Sequence, residues 1–143
     1  MYDFNYQLLP VHVHGNHWML ALLIVQEKQI LCFDSLGNDS SDVYDNLFHY
    51  LHDEYYMINE DPFKTKSYPE WGFHEKVCPQ QDNGTDCGVY MCIFAFLFTV
   101  NMQRIDDYSP FDIDANHFPF SFIYIPKLRL LMVSFIVKGE KAL

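Results

Sequence analysis

Cationic residues are scarce in this sequence. Nine Lys and Arg stand against 19 Asp and Glu among 143 residues, a formal net charge of −10 with histidine neutral. From Asp34 to Asp61 the chain carries eight carboxylates and no Lys or Arg. That balance argues against nucleic acid and against an anionic membrane as partners, and it would steer a basic protein surface inward. An acidic band serving solubility alone fits equally well. Long apolar runs are also missing. The longest, Met19–Val25 and Leu128–Val137, fall well short of the roughly 20 residues that span a bilayer, so no transmembrane helix is expected. The opening Met1-Tyr-Asp-Phe-Asn-Tyr6 has neither a basic n-region nor an apolar h-region, and no signal peptide is expected. Cys32, Cys78, Cys87 and Cys92 show no Cys-x-x-Cys spacing. Reduced thiols in an intracellular protein are the natural reading, with one thiol free to be reactive. Internal repeats and low-complexity segments are absent.

What is present is a core. Half of the residues are hydrophobic and 17% aromatic, ample for one packed domain over residues 1–143 and too short for two ordinary ones. After Val11-His-Val-His14 and Gly15-Asn16, the run from His17 to Val25 reads as a buried strand. A polar turn at Gln26–Gln29 leads into a second strand over Gln29–Asp34. The two form a hairpin, and antiparallel arms bring the start of the first and the end of the second to one end of the sheet. His17 and Asp34 occupy those two places. Asp42–Tyr56 reads as a helix, because Val43, Leu47, Leu51 and Tyr55 recur every four residues and Ser40 or Ser41 can cap it. Residues 57–70 read as a loop, Trp71–Val77 as a third strand, and Cys78–Asp86 as a turn-rich segment. Cys87–Val100 is apolar on every side, the pattern of a helix in the middle of a core. Arg104–His117 reads as another loop. The closing Phe118–Val137 is apolar and interrupted by Pro126, and periodicity leaves helix or strand open for Lys127–Val137.

Cys87 stands where a reactive thiol would stand. It opens a helix, whose N-terminal peptide dipoles favour a thiolate, and Gly88 after it allows close approach. Cys92 in mid-helix and Cys32 inside a strand read as inert core. A thiol nucleophile needs a base within hydrogen-bond reach, and the base needs a group to fix its tautomer. His17 and Asp34, at one end of the sheet, supply both. Separately, His17 suits a strand-edge histidine and Asp34 a turn-opening aspartate ahead of Ser35-Leu-Gly. Gln81 or its neighbour Gln80 could donate to an oxyanion together with the Cys87 N–H, and chemistry alone leaves that choice open. A metal site at His12, His14 and His17 has no completing carboxylate or cysteine at zinc spacing, so no metal and no cofactor is expected.

These residues resemble a known family. His17-Trp18, a strand ending Phe33-Asp34-Ser35-Leu36, and Cys78-Pro-Gln-Gln-Asp-Asn-Gly-Thr-Asp-Cys-Gly-Val-Tyr90 are similar to the ubiquitin-like-protein proteases, the SUMO (sentrin)-specific cysteine proteases with an adenain-like, papain-related fold. The order His, Asp, Gln, Cys is that family's order and the reverse of papain's. The resemblance covers about Leu9 to Val137, loosely in the closing segment. It implies an α+β domain with a small mixed sheet packed on helices and the nucleophile at the N-terminus of a buried central helix. It implies His17 as base, Asp34 as its partner, Cys87 as nucleophile, Gln81 as oxyanion-hole donor, and Trp18 as the roof of a narrow tunnel for a Gly-Gly tail. Family domains carry a substantial segment with helices and a second channel tryptophan before the His strand. The chain therefore reads as a partial, N-terminally truncated catalytic domain.

The expected function is a cysteine-type isopeptidase or processing peptidase acting after the C-terminal Gly-Gly of SUMO or a related modifier. The expected setting is a monomer in the nucleus or cytoplasm, with the modifier and its conjugates as partners. The alternative is a truncated inactive relative that at most binds a ubiquitin-like protein. Acyl transfer to another acceptor by the same thioester chemistry is a weaker third reading.

Overall fold

The computed structural model describes residues 5–102 and 122–138. Its order is β1 (Tyr6–Val13), β2 (His17–Ile24), β3 (Gln29–Phe33), α1 (Ser41–Ile58), β4 (Gly72–Glu75), α2 (Cys87–Met102), a 3₁₀ turn over Phe122–Tyr124, and α3 (Ile125–Lys138). The strands form one sheet in the order β1-β2-β3-β4. β1, β2 and β3 pair antiparallel and β4 joins β3 in parallel, so the sheet is mixed.

β2 is apolar without interruption because both faces of the sheet are covered. Alternate side chains point opposite ways along a strand. Leu20, Leu22 and Ile24 go to one face, where with Leu31 and Phe33 they meet Val89, Tyr90, Ile93, Phe94 and Phe98 of α2 and Ile125 of α3. Met19, Ala21 and Leu23 go to the other, where with Ile30 and Cys32 they meet Val43 and Leu51 of α1 and Trp71. The result is three layers, α1 on one side of the sheet and α2 with α3 on the other. Phe33 sits between Phe94 and Phe98, with ring centroids 6.2 and 4.9 Å away.

The expected hairpin is β2–β3, and a further strand precedes it. β1 lies at the sheet edge, which accommodates Pro10 because an edge strand can spare one ladder donor. The turn between β1 and β2 has His14 and Gly15 at positive φ (53° and 75°), and Asn16 N–H closes it on the Val13 carbonyl at 3.3 Å. That tight reversal delivers His17 to the first position of β2. The start of α1 also differs from expectation. Neither Ser40 nor Ser41 caps the helix through its hydroxyl; the Asp39 carboxylate accepts the Ser41 N–H at 2.8 Å, and the Ser40 N–H goes to Glu75 Oε1 at 2.7 Å. The undecided Lys127–Val137 is helical. Its inner side, Ile125, Leu128 and Met132, packs on the core, while Leu130, Leu131, Val133, Ile136 and Val137 are exposed. The loop expected at Arg104–His117 and the start of the closing segment at Phe118 lie outside the described residues.

Candidate active site

His17 is buried at the first position of β2, 4% exposed. Its Nε2 lies 2.7 Å from Asp34 Oδ1, the first residue past β3. Asp34 is also buried and takes every contact as an acceptor. Oδ1 accepts the Leu36 N–H at 2.8 Å, and Oδ2 accepts the backbone and side-chain N–H groups of Asn38 at 3.1 and 3.0 Å. The Asp34 carbonyl receives the Gly37 N–H, so the same residue opens the turn. Gly37 occupies that turn at φ +66°, the left-handed region that favours glycine. With Nε2 committed to a carboxylate as a donor, Nδ1 carries the free lone pair. Nδ1 is buried and, among the described residues, has no hydrogen-bond partner. An orphaned polar atom of this kind costs roughly 1–3 kcal/mol and calls for an explanation.

Cys87 is the first residue of α2 and is buried, 6% exposed. Asp86 just ahead of it starts the helix: its carbonyl accepts the N–H groups of Val89 at 2.9 Å and Tyr90 at 3.0 Å. The N–H groups ahead of these, of Cys87 and Gly88, have no intrahelical acceptor and point toward whatever lies off that end. The start of α2 lies against the start of β2. A Cβ placed on Gly88 would come 3.7 Å from Trp18 Cδ1, an ordinary contact, so packing alone does not require glycine there. Trp18 is 39% exposed and tilts over His12, ring centroids 4.6 Å apart, where a buried core tryptophan would be hidden. His12, His14 and His17 do not converge on a common point. His17 serves Asp34, His12 serves Trp18, and His14 sits in the turn.

The segment between β4 and α2 is fastened to the same end of the sheet. Cys78 Sγ contacts the Asp34 carbonyl at 3.3 Å, and burial pushes its thiol pKa up to about 12. Burial likewise pushes the Cys32 thiol up to about 12, with Glu75 and Asp34 adding to the effect. Both environments oppose a thiolate. Gln80 donates its Nε2 protons to the carbonyls of Asp34 and Cys78 at 2.9 and 3.0 Å, which uses both N–H groups of the amide. Gln81 is held differently. Its backbone N–H bonds the Ser35 carbonyl at 2.8 Å, its Oε1 accepts the Ser35 hydroxyl at 2.6 Å, and Nε2 gives one proton to the Asn83 carbonyl. Among the described residues, one N–H of this clamped amide is left over.

The arrangement can do thiol chemistry: a helix-start cysteine, a histidine whose tautomer is set by a carboxylate, and a fixed amide. Comparison with known proteins shows the family. The family model described as the Ulp1 protease family, C-terminal catalytic domain, matches residues 1–127. The chain belongs to the Ulp1 protease family. Among curated members it is 35% identical over 96 residues to a sentrin-specific protease of Caenorhabditis elegans, covering 66% of this chain and 13% of that one. It is 32% identical over 84 residues to ubiquitin-like-specific protease 1 of Saccharomyces cerevisiae, covering 59% and 13%. The Ulp1-like SUMO protease catalytic domain of Chaetomium thermophilum superposes with a TM-score of 0.65 at 19% identity, over 96% of this chain and 47% of that domain. The yeast Ulp1 protease domain solved with Smt3 superposes with a TM-score of 0.52 at 23% identity, over 92% and 53%. The fold is therefore the Ulp1 fold, and the chain spans about half the length of these solved domains.

Arg129, outside every motif, ties the Cys87 loop together with Asn83 and Asp86, to which the motif gave no role. Their signal lies in pairing across 43 residues between Asp86 and Arg129, and a one-dimensional pattern does not display it.

Proposed function

We propose that this chain is a partial catalytic domain, single over residues 1–143, of a cysteine-type peptidase and isopeptidase that cleaves after the C-terminal Gly-Gly of SUMO or a related ubiquitin-like modifier. The observation that carries the reading is the buried His17, with Nε2 on Asp34 and a free, unsatisfied Nδ1, beside the start of the helix that Cys87 opens. Nδ1 takes the thiol proton of Cys87, and the thiolate attacks the carbonyl of the terminal glycine. The oxyanion is met by the remaining Nε2–H of Gln81 and the Cys87 N–H. Collapse forms the thioester and expels the amine, which receives the proton from His17. Water then adds to the thioester with His17 as base, releasing the modifier's carboxylate and restoring the thiol. The half-exposed Trp18 ring, braced by His12, flanks the approach as a flat wall past which residues without side chains pass most easily. The chemistry needs no metal or cofactor. The four free thiols fit an intracellular site, nuclear or cytoplasmic, and a monomer suffices.

The test is incubation of the 143-residue chain with SUMO, ubiquitin and related modifiers carrying a C-terminal thiol-reactive warhead. A covalent adduct forms with a SUMO-type probe and is lost in Cys87→Ala. No adduct with any modifier, from a sample folded by circular dichroism, sinks the proposal. Because the chain spans about half of the solved domains, a modifier that binds the folded chain without adduct identifies a binding-only relative.

A further inference from the structure

The loop ahead of Cys87 is bonded on both sides. Asn83 Oδ1 accepts the N–H groups of Thr85 and Asp86 at 2.9 and 3.1 Å, and Asn83 Nδ2 donates to Asp86 Oδ2 at 2.7 Å. From α3, Arg129 reaches the other carboxylate oxygen. Its Nε lies 3.0 Å from Asp86 Oδ1, its Nη2 bonds the same oxygen, and Nη2 also approaches the Thr85 carbonyl at 3.4 Å. Arg129 is about half-exposed and the Asp86 side chain largely buried, 14% exposed. The inner residues of α3, Ile125, Leu128 and Met132, anchor the helix on the core and set where the guanidinium points.

A carboxylate one residue before Cys87 is awkward for a thiolate. The first turn of α2 offers a thiolate its N–H groups and the positive end of the helix dipole, and a negative charge beside it opposes both. Arg129 and then Asn83 hold the Asp86 carboxyl below the ordinary value of 3.8, so its charge is permanent at neutral pH. The titratable and charged groups gathered here are Asp82 and Asp86 of the loop, Tyr90 of α2 and Arg129 of α3.

Resting on the reading of Cys87 as nucleophile, we propose that Arg129 is a positioning residue. Acting through Asp86, its guanidinium cancels the carboxylate next to the thiol and holds the Thr85–Asp86 segment from which α2 begins. The charge role separates this from a merely structural clamp. Removing the guanidinium exposes Cys87 to an uncompensated negative charge, and removing both partners relieves it.

The test is the rate at which neutral iodoacetamide alkylates Cys87 at pH 7 in the full chain, read by peptide mass spectrometry with Cys92 as internal reference. Arg129→Met slows Cys87 by about 3–10-fold at low salt, and the deficit shrinks in 1 M salt, where the screening length is about 3 Å. Arg129→Lys keeps the charge and most of the rate. Asp86→Asn alone raises the rate, and adding it to Arg129→Met restores it. Should Arg129→Met not fold, Arg129→Lys and Asp86→Asn carry the same test. A deficit that is insensitive to salt and not rescued by Asp86→Asn overturns the proposal, as does an Asp86→Asn rate no higher than wild type. A wild-type Cys87 that reacts no faster than Cys92 overturns the nucleophile reading and this proposal with it.

Discussion

At Asp34, one carboxyl group serves a turn and a histidine at once. Oδ1 takes the Leu36 N–H as well as His17 Nε2, and Oδ2 takes both donors of Asn38. Asp34→Asn keeps an acceptor for the turn but loses the fixed tautomer of His17. The probe-adduct rate is expected to fall by roughly 10⁴, as carboxylate-to-amide changes do in histidine-based triads, and stability falls by about 1–3 kcal/mol because the amide NH2 must face an N–H that one of the two carboxylate oxygens accepts. Asp34→Ala removes the turn acceptors too and lowers stability by about 1–3 kcal/mol in a denaturant titration. The adjacent glutamines separate in the same two measurements. Gln81→Ala lowers the adduct rate by about 10²–10³. Gln80→Ala, which frees the carbonyls of Asp34 and Cys78, acts first on stability, by about 1–3 kcal/mol. At this scale the sequence was informative about His17 and Asp34, because both lie at the ends of one short hairpin. Chemistry alone was silent between Gln80 and Gln81, since two loop glutamines differ only in where their protons go, and only the family resemblance pointed to Gln81.

Among the elements, those with a distinctive pattern were the legible ones. The four-residue recurrence from Val43 to Tyr55 marks α1, and the unbroken apolar run marks β2, because a strand covered on both sides has no polar face to show. α3 was not legible as a helix. Its exposed side carries Leu130, Leu131, Val133, Ile136 and Val137, so the sequence shows no period even though the inner side packs on the core. β1 was not expected, and Pro10 lies within it because an edge strand accommodates it. The core layer that holds α2 on the sheet is the most sensitive to truncation. Phe33→Ala or Phe94→Ala is expected to lower unfolding free energy by about 3–5 kcal/mol, measured in urea. The α2–α3 link adds a pH dependence whose sign follows from Asp86. Its native pKa is depressed below 3.8, by Arg129 first, so the link contributes fully above that value and is lost as pH falls through the native one. Wild type is expected to lose more thermal stability than Asp86→Asn as pH drops below about 4.

For the molecule as a whole, the acidic band of Asp34–Asp61 sits on α1 and its flanks, with Asp39, Asp42, Asp45, Asp53 and Glu60 exposed. If the modifier meets this side with a basic surface, its association rate falls steeply with ionic strength while the chemical step, followed under saturating probe, does not. Stopped-flow binding across 50–500 mM salt checks this, and a flat association rate removes the steering role. The placement of the site residues along the chain has a further consequence, one of timing. His17 and Asp34 are joined by a hairpin contact of only 17 residues' separation, whereas the start of α2 is fastened by a contact from Arg129 spanning 43. Short-range contacts close first, and long-range ones wait for the core. A newly made chain would thus hold His17 and Asp34 in register well before Cys87 is seated, and on the proposed function its reactivity toward an acyl group would appear only once folding is nearly complete.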